Sequence, residues 1–118
     1  MKVLVCGGRD YSDKAALEDA LEAFHSATPI TTLIEGGARG ADHLACNWAN
    51  ANKIPHLCFY ADWAAHGRWA GPLRNIKMLE EGKPDVVMAF PGGRGTLHMR
   101  TIAQKAGVKV IEPIVSPS

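Results

Sequence analysis

The stretch at residues 90–96, Phe-Pro-Gly-Gly-Arg-Gly-Thr, constrains the fold of this chain more than any other. The apolar run 86–90 has the composition of a buried strand. Side chains at the spacing of one helix face come after the stretch, namely Met99, Ile102, Ala103 and Ala106. The pattern therefore predicts a strand, a glycine turn and a helix start. Such a turn directs free backbone N–H groups and the positive end of the helix dipole at one point, which favours an anion there.

Strand-like apolar runs alternate with segments of helical period along the whole sequence. The predicted strands are residues 2–6, 31–34, 56–60, 85–90 and 108–111. Strands that alternate with helices indicate a parallel sheet with helices on both faces. We therefore expect one three-layer α/β domain with a five-stranded sheet over residues 1–112, followed by a short tail at 113–118.

Three glycine turns follow predicted strands one, two and four, and each contains an arginine. Ligands of parallel α/β sheets bind beyond the carboxyl ends of strands, near the switch in strand order. Guanidinium groups suit phosphate because their forked donors match its oxygens. The turns together predict a pocket for a phosphorylated or otherwise anionic small molecule. The predicted binding residues are Gly7, Gly8, Arg9, Gly36, Gly37, Arg39, Gly40, Gly92, Gly93, Arg94, Gly95 and Thr96.

Two carboxylates, Glu35 and Asp42, flank the second glycine turn. A carboxylate repels phosphate, so we do not expect the phosphate beside Asp42. These acids are better placed to accept hydrogen bonds from ribose hydroxyls, from an amino group, or from Arg39 or Arg9. An equally weighted alternative is that Asp42 satisfies free N–H groups at the start of a helix.

The segment 61–71 is the least regular part of the sequence, and it contains Trp63 and Trp69. Its tryptophans suit three roles, which are a lid over the site, a partner surface, and packing onto the core. Packing is favoured because amphipathic indoles are often used in that way. Pro72 suits the first position of the following helix. The predicted buried face of that helix is Leu73, Ile76 and Leu79, which leaves Arg74, Asn75 and Lys77 more exposed.

The composition limits the classes of function. The net charge is +1, which gives no general electrostatic attraction to nucleic acid or to a membrane surface. No apolar run reaches membrane-spanning length. The three cysteines have no paired spacing, which favours reduced thiols in a cytoplasmic protein. The histidines show no zinc spacing, so we expect neither a metal nor a cofactor.

The glycine turns resemble those of one superfamily. Residues 91–96 resemble the PGGxGT motif of the LOG family, the cytokinin-activating phosphoribohydrolases. Residues 36–42 resemble the GGARGID-type turn of the DNA-processing protein DprA (Smf), and residues 5–10 resemble small stand-alone YspA-like members of the same SLOG superfamily, which occur in bacteria and phages. The resemblance extends from Met1 to about Glu112. It implies a Rossmann-like nucleotide-binding fold.

The resemblance to LOG enzymes implies a similar phosphate-binding loop, formed by Gly92, Gly93, Gly95 and Thr96 with help from Arg74. It does not imply the same chemistry. Those enzymes hydrolyse the N-glycosidic bond of nucleoside 5′-monophosphates, with a glutamate three residues past the threonine and an arginine from an earlier helix. Arg74 matches that arginine, whereas Met99 stands at the glutamate position. A thioether cannot act as a general base. The adjacent His98 is turned away by about a quarter-turn or more along a helix.

Three functions remain as hypotheses from the sequence. The first is binding of a nucleotide or a nucleotide-derived ligand, as a sensor or carrier. The alternative is a nucleotide N-glycosidase that uses Arg74 with a different acid or base, for which the candidates are Asp10, Glu35, Asp42 and His98. The third is single-stranded DNA binding, which the near-neutral charge disfavours. Relatives of this kind often form dimers, so a homodimer and a monomer are both left open.

Overall fold

A five-stranded parallel sheet forms the centre of the computed structural model, which describes residues 1–113. Its strands are β1 (Lys2–Cys6), β2 (Thr32–Glu35), β3 (His56–Cys58), β4 (Val86–Ala89) and β5 (Lys109–Ile111). They lie in the order β3-β2-β1-β4-β5, and every neighbouring pair is parallel. The predicted parallel sheet is therefore confirmed. Residues 114–118 of the predicted tail lie outside the described residues.

Five α-helices surround the sheet in the described part of the chain. They are α1 (Lys14–Ala27), α2 (Ala41–Ala51), α3 (Trp63–His66), α4 (Ala70–Gly82) and α5 (Arg94–Lys105). None of the helices within residues 1–113 combines the length and the apolar composition needed to cross a membrane.

The central strand β1 contributes side chains to both hydrophobic cores. Val3 and Val5 pack with α1 and α2 on one face, where Trp48 is a large buried side chain. Leu4 points to the other face and packs with residues of α4 and α5 such as Met99. Successive side chains of a strand point to opposite faces, so an unbroken apolar strand needs helices on both sides. The predicted three-layer α/β architecture is confirmed.

The order of the strands reverses next to β1. The chain runs from β1 to β2 and β3 on one side, and then returns to form β4 and β5 on the other. Val5 is paired with Met88 across the β1–β4 junction. In sheets of this kind a crevice opens beyond the carboxyl ends of the strands at such a reversal. The first and third glycine turns both start there.

Two predictions about the segment before α4 are wrong. Strand β3 ends at Cys58 instead of residue 60, and residues 61–71 are not irregular. Residues 63–71 form α3, a 3-10 turn at Gly67–Trp69 and the beginning of α4. The side chain of Asp62 starts α3 because it accepts a hydrogen bond from the backbone N–H of Ala65 at 3.0 Å.

The predicted buried face of α4 is also wrong. Leu73 is 46% exposed, Ile76 is exposed, and Leu79 is only partly buried. The helix instead buries Ala70, Gly71, Asn75, Met78 and Gly82. Its glycines allow it to lie close to the sheet, since a methyl group on Gly82 would be 3.1 Å from Cδ1 of Ile34. A search for apolar spacing misses a contact face that is built largely from glycine and a buried amide.

Candidate functional site

Gly8 joins the three glycine turns through its backbone. Its N–H donates to the carbonyl oxygen of Pro91 at 2.8 Å, which links the first turn to the third. Its carbonyl oxygen accepts from the N–H of Ala41 at 3.2 Å, which links the first turn to the second. The turns therefore form one hydrogen-bonded unit at the carboxyl edge of the sheet.

Some of the glycines make this close approach possible. Gly40 has a φ of +79°, and a side chain there would overlap the carbonyl oxygen of Gly8. A methyl group on Gly92 would lie 2.6 Å from the backbone nitrogen of Gly8. By contrast, a methyl group on Gly93 or Gly95 would meet no other part of the described chain within 4 Å. The motif thus contains one glycine that packs against another turn and two that face open space.

That open space belongs to a cavity of about 560 Å³. Its volume is in the range of small-molecule sites, about 300–1,000 Å³. The predicted residues that line it are Gly7, Gly8, Arg9, Asp42, Arg74, Gly93, Arg94, Gly95, Thr96 and His98. Within residues 1–113 the lining does not include the predicted Asp10, Glu35, Gly36, Gly37, Arg39, Gly40 or Gly92. The first and third turns thus provide most of the predicted wall.

The amino end of α5 opens into this cavity. Its N-cap residue is Gly93, which has no side chain to cap the helix, and the carbonyl of Gly93 accepts the first helical bond from Leu97 at 3.1 Å. The N–H groups of the first turn have no partners within the helix. Together with the exposed Arg94, they give this end of the cavity the character of an anion site.

Arg74 reaches the cavity from α4. One of its Nη atoms donates to the carbonyl oxygen of Gly36, and its Nε donates to Oδ1 of Asn75 at 3.0 Å. Burial lowers the pKa of Arg74 from its ordinary value, and the neighbouring Asp42 carboxylate opposes this shift. Arg74 therefore braces the second turn at the same time as it lines the cavity.

Asp42 is a buried carboxyl group in the cavity wall. Its Oδ2 accepts from the backbone N–H of Ala38 at 3.2 Å, so it stabilises the second turn and not the first turn of α2. Burial raises the pKa of Asp42 from 3.8 to about 6, opposed first by the hydrogen bond from Ala38. The carboxylate thus changes charge near physiological pH, next to the Arg74 guanidinium.

The remaining predicted residues of the second turn serve the turn itself. Glu35 is buried and accepts from the N–H of Gly37 at 2.7 Å. Arg39 forms an exposed ion pair with Asp10 at 3.3 Å, on the outside of the turn. Exposed pairs of this kind contribute little to stability, about 0–1 kcal/mol.

Asn75 is a cavity residue that the sequence did not reveal. It is only 4% exposed, although the helical pattern placed it on the outside of α4. Its amide nitrogen donates to the carbonyl of Gly95 at 3.2 Å and lies 3.1 Å from Nδ1 of His98. Because an amide nitrogen can only donate, Nδ1 accepts and the proton of neutral His98 is on Nε2. Met99, the next residue, is fully buried in the core.

Trp63 is also part of the cavity wall. It is 47% exposed, and the Cζ atom of Arg9 lies over its ring, 5.0 Å from the centroid. Trp69 is 60% exposed, and the Cζ atom of Arg68 lies over its ring. Arg68 lines the cavity, whereas Trp69 is not part of the wall that residues 1–113 form. Packing of these two tryptophans onto the core is therefore wrong.

Comparison with known proteins identifies relatives of the chain. A model of the YspA, cpYpsA-related SLOG family matches residues 1–66. The Gene 61 protein of Mycobacterium phage D29 is 44% identical over an alignment of 119 positions, which covers 93% of this chain and 94% of that protein. The X-ray structure of DNA processing protein A (DprA) from Streptococcus pneumoniae matches 93% of this chain with a TM-score of 0.54 and 17% identity. The match covers 58% of the DprA chain, and it shows a shared fold.

Proposed function

The chain belongs to the YspA, cpYpsA-related SLOG family, and we propose that it binds a nucleotide or a nucleotide-derived small ligand, as a sensor or carrier. The observation that carries the proposal is a convergence of groups on one cavity. The uncapped amino end of α5 and the guanidinium groups of Arg9, Arg74 and Arg94 all border it. Helix N–H groups and arginines are the donors that proteins use for phosphate.

The phosphate is assigned to the amino end of α5. Gly93 and Gly95 leave this end open, so an anion can approach the backbone N–H groups closely. Arg94 is exposed there and can donate to the same group. Hydrogen bonds to charged groups contribute about 1.5–3 kcal/mol each. Phosphate binding at this point needs no movement of the interlocked turns.

The sugar is assigned to the part of the cavity near Asp42. An ionised carboxylate accepts hydrogen bonds strongly, and the hydroxyls of a ribose are suitable donors. The role fits a buried acid that lines a cavity and already accepts one backbone hydrogen bond.

Titration calorimetry with AMP, GMP, CMP and UMP and the parent nucleosides tests this proposal. Arg94→Ala should weaken binding of the best nucleotide by about tenfold or more, since a charge-assisted bond is lost. The matched control is Arg39→Ala, which removes an exposed arginine that does not line the cavity and should change affinity less than about twofold. Equal losses in the two variants, or equal losses for nucleotide and nucleoside, would contradict the phosphate assignment.

A nucleotide N-glycosidase is the second candidate. It is favoured by the buried Asp42 and by His98, which line the same cavity and are groups capable of proton transfer. Met99 argues against this function. It stands where LOG enzymes have their glutamate, so the helix has no carboxylate at that position, and its side chain is fully buried. Chromatography of free base after long incubation with each nucleotide separates the two functions. Base release that is lost in Asp42→Asn would establish the hydrolase.

Single-stranded DNA is the weakest of the three ligands. A net charge of +1 gives no general electrostatic attraction to a phosphate backbone. We therefore expect an oligonucleotide to bind no more tightly than the best mononucleotide, and a fluorescence-anisotropy titration at two salt concentrations measures this. Tight and strongly salt-dependent binding of the oligonucleotide would favour a nucleic-acid function.

A further inference from the structure

Trp63 lies in the cavity wall in a position that the phosphate and sugar sites do not explain. Nearly half of its surface is exposed, at 47%. An indole gains free energy when its apolar surface is covered. The core does not cover this ring, and the cavity is the space that it borders. A flat ligand group in that cavity would cover the part of the ring that Arg9 leaves exposed.

The position of the ring is fixed from two sides. Asp62 caps α3 and so places Trp63 at the first helical residue. The edge of the indole lies against the first turn of α4, where a methyl group on Gly71 would be 3.4 Å from Cη2 of Trp63. The glycine leaves room for the ring to rest against the helix. An aromatic surface that rests against packed elements loses less side-chain freedom on binding than a fully free one.

The Arg9 guanidinium shows what kind of group this ring face accepts. Its Cζ atom lies over the ring, 5.0 Å from the centroid. A guanidinium is flat and delocalised, and it stacks on aromatic faces. Nucleobases share this shape, and stacking of a base on an aromatic side chain contributes about 1–3 kcal/mol.

We propose that Trp63 and the Arg9 guanidinium stacked on its ring together form the nucleobase-binding surface of the cavity. The ligand would then be a nucleotide with an aromatic base, in preference to a sugar phosphate that lacks one. This inference rests on the proposed function, since it places the base of the ligand whose phosphate is assigned to α5. Helix α3 contacts α4, and α4 contacts α5, so α4 connects the two ends of the proposed ligand site.

Calorimetry with AMP, GMP, CMP, UMP and ribose 5-phosphate tests the proposal on four proteins: the wild type and the Trp63→Leu, Trp63→Phe and Trp69→Leu variants. Trp63→Leu should weaken the best nucleotide by about tenfold or more and leave ribose 5-phosphate unchanged. Trp63→Phe should restore most of the affinity, because it retains an aromatic face. Trp69→Leu is the matched control, since that indole is also exposed and also paired with a cavity arginine, Arg68, but does not itself line the cavity wall formed by residues 1–113.

The outcomes separate the two proposals. If the wild type binds neither the nucleotides nor ribose 5-phosphate, the proposed function is wrong. If nucleotide and ribose 5-phosphate lose affinity equally in Trp63→Leu, or if Trp69→Leu loses as much, the cavity binds its ligand without a base contact at Trp63 and the inference is overturned.

A fluorescence measurement tests the same contact with Trp63 intact. A Trp69→Phe variant retains Trp63 and the buried Trp48 as its tryptophans. The best nucleotide should quench its emission at saturation, whereas ribose 5-phosphate should not. Absence of quenching by a bound nucleotide would overturn the inference.

Discussion

The backbone N–H of Gly8 donates to the carbonyl oxygen of Pro91, so the turn after β1 is tied directly to the turn after β4. The Cα of Gly92 lies in the same junction, where a methyl group on Gly8 would be 3.1 Å from it. Two backbones can approach this closely only without side chains between them. The glycines of the third turn should therefore differ in what they tolerate.

Gly92→Ala should destabilise the fold, whereas Gly93→Ala should not. The new methyl group at residue 92 would lie 2.6 Å from the backbone nitrogen of Gly8, which cannot move aside without disturbing the junction. Overpacking of this kind costs about 1–3 kcal/mol. At residue 93 the new methyl group would meet no other part of the described chain within 4 Å. Urea denaturation measures both changes, and equal stabilities for the two variants would contradict the interlocked turns.

Gly93→Val should remove nucleotide binding from a protein that still folds. The branched side chain would enter the open space at the amino end of α5, where the proposed phosphate binds. Calorimetry with the best nucleotide should show a loss of more than about tenfold, which corresponds to roughly 1.4 kcal/mol or more. Undiminished affinity in a folded Gly93→Val protein would place the phosphate elsewhere.

Arg74→Ala should reduce stability, and Arg94→Ala should leave it nearly unchanged. Removal of Arg74 leaves the Gly36 carbonyl and Oδ1 of Asn75 without this donor. Loss of a partner for a buried polar group costs about 1–3 kcal/mol. Arg94 is exposed, and surface substitutions usually change stability by less than about 0.5 kcal/mol. Thermal denaturation without ligand compares the variants, and similar melting temperatures would mean that Arg74 does not brace the second turn.

The stability of the wild type relative to Asp42→Asn should fall as the pH rises from about 4 to 7. Burial raises the pKa of Asp42 from 3.8 to about 6, so the folded protein holds this proton more tightly than the unfolded chain. The stabilisation is fully present below the unfolded pKa and is lost as the pH rises through the folded one. The difference in free energy of unfolding should change by roughly 2–3 kcal/mol. Urea titrations at several pH values measure it, and a pH-independent difference would show that Asp42 ionises normally.

On α4, Met78→Ala should cost much more than Leu73→Ala. Met78 is buried between the helix and the sheet, whereas Leu73 is 46% exposed. Truncation of a buried methionine to alanine costs about 2–5 kcal/mol, and the exposed leucine should cost less than about 1 kcal/mol. The free energy of unfolding in urea measures both variants. A larger loss of stability in Leu73→Ala than in Met78→Ala would instead support the buried face predicted from the sequence.

The parallel sheet and the positions of its glycine turns were predictable because both depend on local sequence. Val3 and Val5 belong to an apolar run, and such runs need cover on both faces. The turn glycines follow those runs directly, and parallel strands all end at the same edge of the sheet, so the sequence places the three turns at one edge. The sheet and its glycine turns therefore depend on residues that are close together in the sequence.

The roles of individual residues around the cavity were not predictable in the same way. Asn75 is buried because its amide pairs with Gly95 and His98, which are distant in sequence. Gly92 and Gly93 are adjacent and chemically identical, yet one packs against Gly8 and the other faces the cavity. Only the three-dimensional position of the partner distinguishes such residues. A homodimer and a cytoplasmic location stay predictions.

The bond from Gly8 to Pro91 also determines when the cavity can exist during protein synthesis. Strand β1 and the second turn leave the ribosome early, but β4 and the amino end of α5 are made much later. A nascent chain that stops before Pro91 has neither the partner of Gly8 nor the anion-binding end of α5. Any ligand that requires the whole cavity therefore binds after translation has passed this point. It then stabilises the completed fold by mass action and not its early intermediates.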